Sequence, residues 1–396
     1  MNGDEEVVDA EVVSDLVPVV RHVPRSSAEA AEEPDPDAWL PPEAEEDVQA
    51  GIPESTERAY GGDMLRFAEW CASVGRRPMP AASETVTAYM SYLKRTPREQ
   101  TKETYSPRSM DRVIASIRSS HRAAGLNPPD TMGARKVVRG YRAALSEAND
   151  PRALPRKASP ADREVLREAL QKLDRSTLAG KRDAALMLLG HAVMSRGSEL
   201  VPLDWPTSFT PDPDPAGGFT ARVYRKKRKR WQDVEVPLDP DPDLCAVRAV
   251  HALARAMEFQ LPPQADVGHV FALFQRIDRH GYLAPEMTRD GKPIGDPSGR
   301  MTAEAASDIV ERSIRRTGRD GNWTSHALRR GGVKSARRAG ADIVDIGRHG
   351  GWDDRSKSLI GYIDEDDSRG DRNPLVKIGK HAVAEQEERV ESEGSA

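Results

Sequence analysis

One stretch of this 396-residue chain departs from the rest, and the departure limits the folds open to it. In "GGFTARVYRKKRKRWQDVEVPL", residues 217–238, apolar and polar residues alternate around Val223 and again at Val234 and Val236. A period of two marks half-buried strands, so the stretch reads as a strand pair joined by a very basic turn. Elsewhere between residues 51 and 363 the apolar spacing is mostly helical. Tyr60, Met64, Phe67 and Cys71 recur at that spacing, as do Val86, Tyr89, Met90 and Leu93 behind Ser83, a candidate N-cap. Met110, Val113, Ile114 and Ile117 line one side of the next segment, which Gly125 and two prolines stop. A shorter helix is expected over residues 137–145. The fold class that follows is mainly α with a small antiparallel β-sheet.

Charge divides the chain further. Residues 1–50 hold 15 Asp/Glu against two Arg, and residues 381–396 five Glu against one Arg. The intervening body therefore carries 56 Lys/Arg and 44 Asp/Glu, a formal +12 hidden inside an overall −5. Residues 1–50, acidic and Pro-rich, read as a disordered tail. Residues 51–147 read as a helical domain, and the Pro-rich, basic residues 148–160 as a linker. Residues 161–372 read as a second domain, opened by Ser159-Pro160 as N-cap and first helical position, and residues 373–396 as a tail. The chain past Cys245 reads as helices broken by a Gly/Pro-rich loop at 290–299. A basic body points to a polyanionic partner. Two distant cysteines, Cys71 and Cys245, make neither a disulfide framework nor a metal cluster, which fits a reducing cytoplasm. No apolar run reaches the roughly 18 residues of a membrane span, and no signal pattern opens the chain.

Several chemistries leave no trace. There is no phosphate-binding glycine loop, no dinucleotide turn, no nucleophile elbow and no tight metal-ligating cluster, so neither metal nor nucleotide cofactor is expected. Four short patterns remain: "SRGSEL" (195–200), the basic turn "YRKKRKRW" (224–231), "SHALRRGG" (325–332) and "GGWDDRSKSLIGYI" (350–363). Singly, none is specific. Helices carry Arg/Glu pairs for surface stability, basic turns are commonly solvated, and His326 and Arg329 one turn apart arise often by chance.

In order they resemble something definite. Arg196 with Glu199, a hairpin lysine, His326-x-x-Arg329, Trp352 and Tyr362 together are similar to the tyrosine recombinase (phage integrase) family, of the Cre/Xer-like site-specific recombinases. "ADIVDIGRHGGW", residues 341–352, is similar to the segment that precedes the active-site Trp in Cre-like members. The resemblance covers residues 55–365 and implies a helical SAM-like core-binding domain ahead of an α+β catalytic domain. The gap from Trp352 to Tyr362 is one residue longer than the family's usual spacing, which an insertion in "DDRSKS" explains. The hairpin lysine stays open among Lys226, Lys227 and Lys229; the strand-end pattern favours Lys227.

The resemblance assigns roles that suit attack on a phosphodiester. Arg196 and Arg329, permanently charged planar forks, clamp two phosphate oxygens. Tyr362 is the nucleophile, His326 takes or shares its proton, and the lysine protonates the departing 5′-oxygen. Trp352 donates its indole N–H, and Glu199 steers an arginine or histidine from behind. Arg108, Arg112, Arg118 and Arg122 are expected to meet duplex DNA, with Lys226 and Lys229 as further contacts. The partners implied are double-stranded DNA, three further copies in a homotetramer on two duplexes, and an accessory DNA-bending or directionality factor. The composition fits a GC-rich bacterial genome, and the implied location is a bacterial cytoplasm, at the nucleoid. Two rival readings stand beside this one: a type IB topoisomerase that relaxes DNA, and a catalytically inactive DNA-binding regulator.

Overall fold

A computed structural model describes residues 41–99, 101–214, 217–260, 270–353, 356 and 358–362. Contacts divide the chain into two compact units, Met1–Arg156 and Lys157–Ala396. Most of the acidic N-terminal stretch and the chain past Tyr362 lie outside the described residues. The last part of the segment read as disordered does not fit that reading: Pro42–Ala50 is a helix, α1. Four acidic residues in nine disguise an otherwise helix-compatible sequence opened by a proline at its first position.

The first unit is helical throughout. Helices α2 (Glu54–Ser73), α3 (Ser83–Arg95), α4 (Pro107–Ala123) and α5 (Met132–Glu147) enclose Phe67, Met90, Met110, Ile114, Ile117 and Val138. Ser106 caps α4 by accepting from Ser109 N at 3.2 Å, with Pro107 behind it at the first helical position. Ser83 does not cap α3; it is the first helical residue, and Ala82 precedes it without a side-chain cap. The core also holds two polar groups with full partners. Asp63 is completely buried and accepts from Arg66 at 2.8 Å and from both Nε and Nη2 of Arg112. His121 is bonded to Ile117 O through Nδ1 and accepts Ala81 N through Nε2 at 2.9 Å, the pattern of a neutral imidazole.

The first helix of the second unit starts three residues later than the Ser159-Pro160 reading. Helix α6 (Arg163–Gln171) is capped by Asp162, whose carboxylate accepts from Val165 N. Ser159 instead pairs with Asn322, N to O and N to Oγ, at 2.8 and 3.0 Å. Helix α7 (Leu178–Ala192) is buried nearly all round and packs between α9 (Ala246–Glu258) and α11 (Ser325–Arg338). Helices α8 (Gly197–Leu200), α10 (Ala303–Arg315) and α12 (Ile343–His349) complete the helical part. The expected strand pair is β3 (Gly218–Arg225) against β4 (Arg230–Pro237), and a short strand, β2 (Phe209–Pro211), extends it to an antiparallel order β2-β3-β4. Phe219, Ala221, Val223, Val234 and Val236 turn inward to the core. Strands β1 (Asp204–Trp205) and β5 (Phe271–Ala272) pair, as do β6 (Met287–Arg289) and β7 (Lys292–Ile294). The loop expected at 290–299 therefore contains half of a hairpin. Among the described residues no helix is long and apolar enough to cross a membrane.

The glycine pair of "SHALRRGG" has a packing cause. The segment before α6 crosses α11 so closely that Ala161 N donates to Ala327 O at 2.9 Å. A Cβ on Gly331 would lie 1.8 Å from the backbone oxygen of Ala161. Gly331→Ala should thus destabilise this unit by about 1–3 kcal/mol through forced backbone displacement. Gly140→Ala in α5, where nothing lies within 4 Å, should gain up to about 1 kcal/mol of helix propensity. Urea unfolding of the two variants checks both signs.

Candidate active site

Three turns of the second unit supply the site. The first follows α7: Val193, Met194 and Ser195 lead into Arg196, the residue that precedes α8, with Met194 in the left-handed region at φ +46°. The second is the start of α11, where Thr324 caps by accepting from His326 N and one helical turn sets His326 and Arg329 on one face. The third follows α12: Gly350 and Gly351 turn the chain into Trp352, whose N–H donates to Gly347 O at 2.8 Å. Residues 358–362 return as helix, and a small apolar cluster of Met194, Val333, Ile346, Trp352 and Leu359 has Tyr362 packed against it. Ser356 N donates to Asp353 O at 2.9 Å.

These turns bring Arg196, Glu199, His326, Arg329, Trp352 and Tyr362 together. His326 Nε2 lies 2.6 Å from the Tyr362 hydroxyl. Arg329 is fully buried, its guanidinium carbon 3.4 Å from the centre of the Trp352 ring. Its Nη1 donates to Met194 O and, at 2.9 Å, to Gly350 O. Among the described residues its Nε and Nη2, and the indole Nε1 of Trp352, have no hydrogen-bond partner although buried. Arg196 Nη1 donates to Glu199 Oε1 at 2.6 Å, and the Arg196 N–H to Oε2 at 3.3 Å. Trp352 stands edge-on to Tyr362 at 5.9 Å, and the guanidinium of Arg330 lies 4.9 Å from the phenol ring centre.

The electrostatics follow from burial. Desolvation, then the charges of Arg329, Arg196 and Arg330, push the His326 imidazole down to about 4 against the pull of Glu199. The ring is therefore neutral at pH 7 and offers a lone pair to the phenol. Burial, then Arg196, lowers Arg329 to about 9, which still leaves it protonated at pH 7. Arg196, Arg225 and Arg329 thus surround one buried carboxylate, Glu199. Such an excess of positive charge, with donors left unpaired, suits an anion with several oxygens.

The lysines stand apart from this set. Lys226 and Lys227 lie in an exposed 3-10 turn, Lys226–Arg228, and Lys229 follows at φ +49°. Among the described residues none of the three side chains has a hydrogen-bond or ion-pair partner. In the first unit Arg108 and Arg122 are exposed, whereas Arg112 is held by Asp63 and Arg118 reaches Pro129 O and Thr131 Oγ1 at 3.5 and 3.4 Å. Sequence reasoning missed Arg225, which is buried and bonded to Glu199 and Ser195, and Arg228, which donates to Trp352 O at 2.9 Å. The parity of β3 held a clue: Arg225 shares the inward face of Ala221 and Val223.

No family model matches the chain. It is 25% identical over 296 residues to an integrase/recombinase XerD homolog of Selenomonas ruminantium, covering 74% of this chain and 77% of that protein. Among solved structures it is similar to a XerH site-specific recombinase bound to difH substrate (TM-score 0.48, 13% identity, 82% of this chain and 78% of that one). It is also similar to a lambda integrase dimer bound to a COC′ core site (TM-score 0.49, 13% identity, 83% and 94%). A Tn1549 transposon integrase in complex with transposon right end DNA gives a TM-score of 0.47 at 12% identity, with 85% and 97% covered.

The depressed His326 has a stability consequence. Its folded-state value lies below the ordinary value near 6.5, so the fold resists protonation between those limits. Stability is complete above about pH 6.5 and lost as pH falls toward 4. His191, pushed to about 4 chiefly by burial, adds in the same direction. Thermal melts between pH 7.5 and 4.5 should show a falling midpoint, with a shallower fall in His326→Gln; equal slopes would contradict the assignment.

Proposed function

We infer that this chain, a member of the tyrosine recombinase family, is a site-specific DNA recombinase that cuts and rejoins strands through a tyrosine-linked intermediate. The observation that carries the reading is one contact: the Tyr362 hydroxyl against the neutral Nε2 of His326, beside the unpaired donor edge of Arg329. A phosphodiester seated on that edge puts its phosphorus in front of the phenol. Tyr362 Oη attacks the phosphorus as its proton passes to His326 Nε2. The charge growing on the two non-bridging oxygens is met by Arg329 and Arg196, with the indole N–H of Trp352 as a further donor. The bond from phosphorus to the 5′-oxygen breaks, and that oxygen needs a proton because an alkoxide is a far poorer leaving group than a phenolate. The turn residues 226–229 supply the candidate donors, Lys227 first among them and Lys226 and Lys229 as its rivals.

The product is a 3′-phosphotyrosine and a free 5′-hydroxyl. One phosphoester has replaced another, so the step is near thermoneutral and needs no nucleotide hydrolysis. The hydroxyl of a partner strand then attacks and reseals. Exchange between two duplexes requires four strand cleavages and one nucleophile per chain, which supports a homotetramer on double-stranded DNA. The exposed Arg108 and Arg122 of the first unit suit backbone contacts, which bind without choosing sequence. We place the activity at bacterial DNA in the cytoplasm, in the upkeep or movement of an integrating element.

The test begins with DNA trapped on the purified protein, whose attached ends are sequenced, and continues with a nicked suicide duplex of the recovered sequence. The expected result is a covalent adduct that vanishes in Tyr362→Phe. Arg329→Ala should form it about 10²–10³-fold more slowly. An adduct that persists in Tyr362→Phe, or tight binding with no adduct at all, overturns the reading. Relaxation of plasmids without any site would move the assignment to a topoisomerase.

A further inference from the structure

The proposed mechanism uses Arg196 and Arg329 and leaves the buried guanidinium of Arg225, which contacts the same turns, without a role. Arg225 is 1% exposed and ends β3, next to the lysine-bearing turn. A guanidinium has five N–H bonds, and here all of them have an acceptor. Nε donates to Gln232 Oε1 at 2.9 Å. Nη1 donates to Ser195 Oγ at 2.9 Å and to Glu199 Oε2 at 3.3 Å. Nη2 donates to Val193 O and to His349 O, both at 3.0 Å. None remains for a phosphate.

The carbonyls it binds are adjacent to those bound by Arg329. Arg225 bridges Val193 O and His349 O; Arg329 bridges Met194 O and Gly350 O. Two guanidiniums therefore staple the same two turns, one residue apart. The turns are the one that carries Arg196 and the one that carries Trp352. Gln232 adds to the first staple, since its Nε2 donates to Arg348 O at 2.7 Å and His349 O at 3.1 Å. Gly351 packs on top of it at φ +69°, and a Cβ there would lie 2.6 Å from Gln232 Oε1 and 2.8 Å from Arg225 Nε. Glu199 links the staple to the site directly: Oε1 holds Arg196 and Oε2 holds Arg225.

We propose that Arg225 is a positioning residue for strand cleavage, holding the two turns so that Arg196 and the free edge of Arg329 meet the non-bridging phosphate oxygens together. It touches no reacting atom. With the Arg225 staple gone, Glu199 Oε2 loses its guanidinium donor and keeps the Arg196 N–H at 3.3 Å, and of the two guanidinium staples Arg329 is left, beside the contact of His349 Nε2 with Ala192 O at 2.7 Å. Arg329 then serves as both staple and phosphate donor, and the geometry of the pair relaxes. The effect belongs to the chemical step and not to DNA affinity.

This inference rests on the recombinase reading, and its test separates the two. The probe is the nicked suicide duplex of captured sequence, made once with an ordinary scissile phosphodiester and once with a methylphosphonate, which lacks one charged oxygen. The variants are Arg225→Met, Arg225→Lys and, at the more exposed end of the staple, Gln232→Ala. For Arg225→Met on the phosphodiester, the single-turnover cleavage rate at saturating protein should fall about 10–100-fold. Its dissociation constant for the duplex should change little. On the methylphosphonate, where less charge needs the guanidinium pair, the deficit relative to the unaltered protein should shrink several-fold. Arg225→Lys should rescue poorly, because an ammonium cannot span five acceptors in a plane. Gln232→Ala should show the same pattern in milder form, and it decides the matter if both Arg225 variants fail to fold. Equal deficits on the two substrates, a parallel loss of affinity, or unaltered rates would overturn the positioning role. Failure of the unaltered protein to cleave at all would strike the recombinase reading instead.

Discussion

Two turns that are distant in sequence, residues 193–196 and 348–352, carry Arg196 and Trp352, and among the described residues no β-ladder pairs them. Guanidinium groups reaching across to backbone carbonyls join them instead. The constraint matters because carbonyls at the ends of helices need donors, and α7 and α12 both end at this junction. Arginine supplies several in one rigid plane. Burying such charges is costly, and among the described residues Glu199 is the carboxylate that pairs with both Arg196 and Arg225. The site is accordingly cationic, and among the described residues donors on Arg329 and Trp352 are left without a hydrogen-bond partner.

The same field explains how one histidine can serve a phenol. A surface imidazole would be partly protonated near neutrality and a poor acceptor. Here burial and neighbouring guanidiniums keep it neutral, so its lone pair faces the Tyr362 hydroxyl at hydrogen-bond distance. In the proposed mechanism, the cations that suppress protonation of His326 also stabilise the phosphoryl transition state. One electrostatic arrangement therefore supports both the nucleophile and the electrophile.

How much of this was legible in the sequence depends on what decided each feature. Phe67, Met110, Ile117 and their neighbours followed from helical spacing, because burial on one face is a local signal. The β3–β4 hairpin followed from alternation, whereas β2 has only three residues and is too short to show a period. The start of α6 was misread because Ser159 and Asp162 are both cap-forming types; the crossing of Ala161 over α11, a tertiary contact, fixes which one caps. The order of Arg196, His326, Arg329, Trp352 and Tyr362 along the chain singles them out as candidates, and the structure brings the five together. Arg225 is not singled out in this way, since a charge at the mouth of a basic turn looks solvated, and only strand parity hints that it points inward. The lysine is ambiguous for the opposite reason: three neighbouring side chains share an exposed turn, and among the described residues no hydrogen bond or ion pair singles one out.

In the proposed reaction the Tyr362 oxygen becomes bonded to a DNA phosphorus on its 3′ side. Mass spectrometry of the trapped complex, after exhaustive nuclease and protease digestion, reads that bond directly. The expected product is a nucleotide remnant attached through its 3′-phosphate to the peptide that contains Tyr362, with a free 5′-hydroxyl on the other DNA end. A remnant on any other residue, or one joined through a 5′-phosphate, would contradict it.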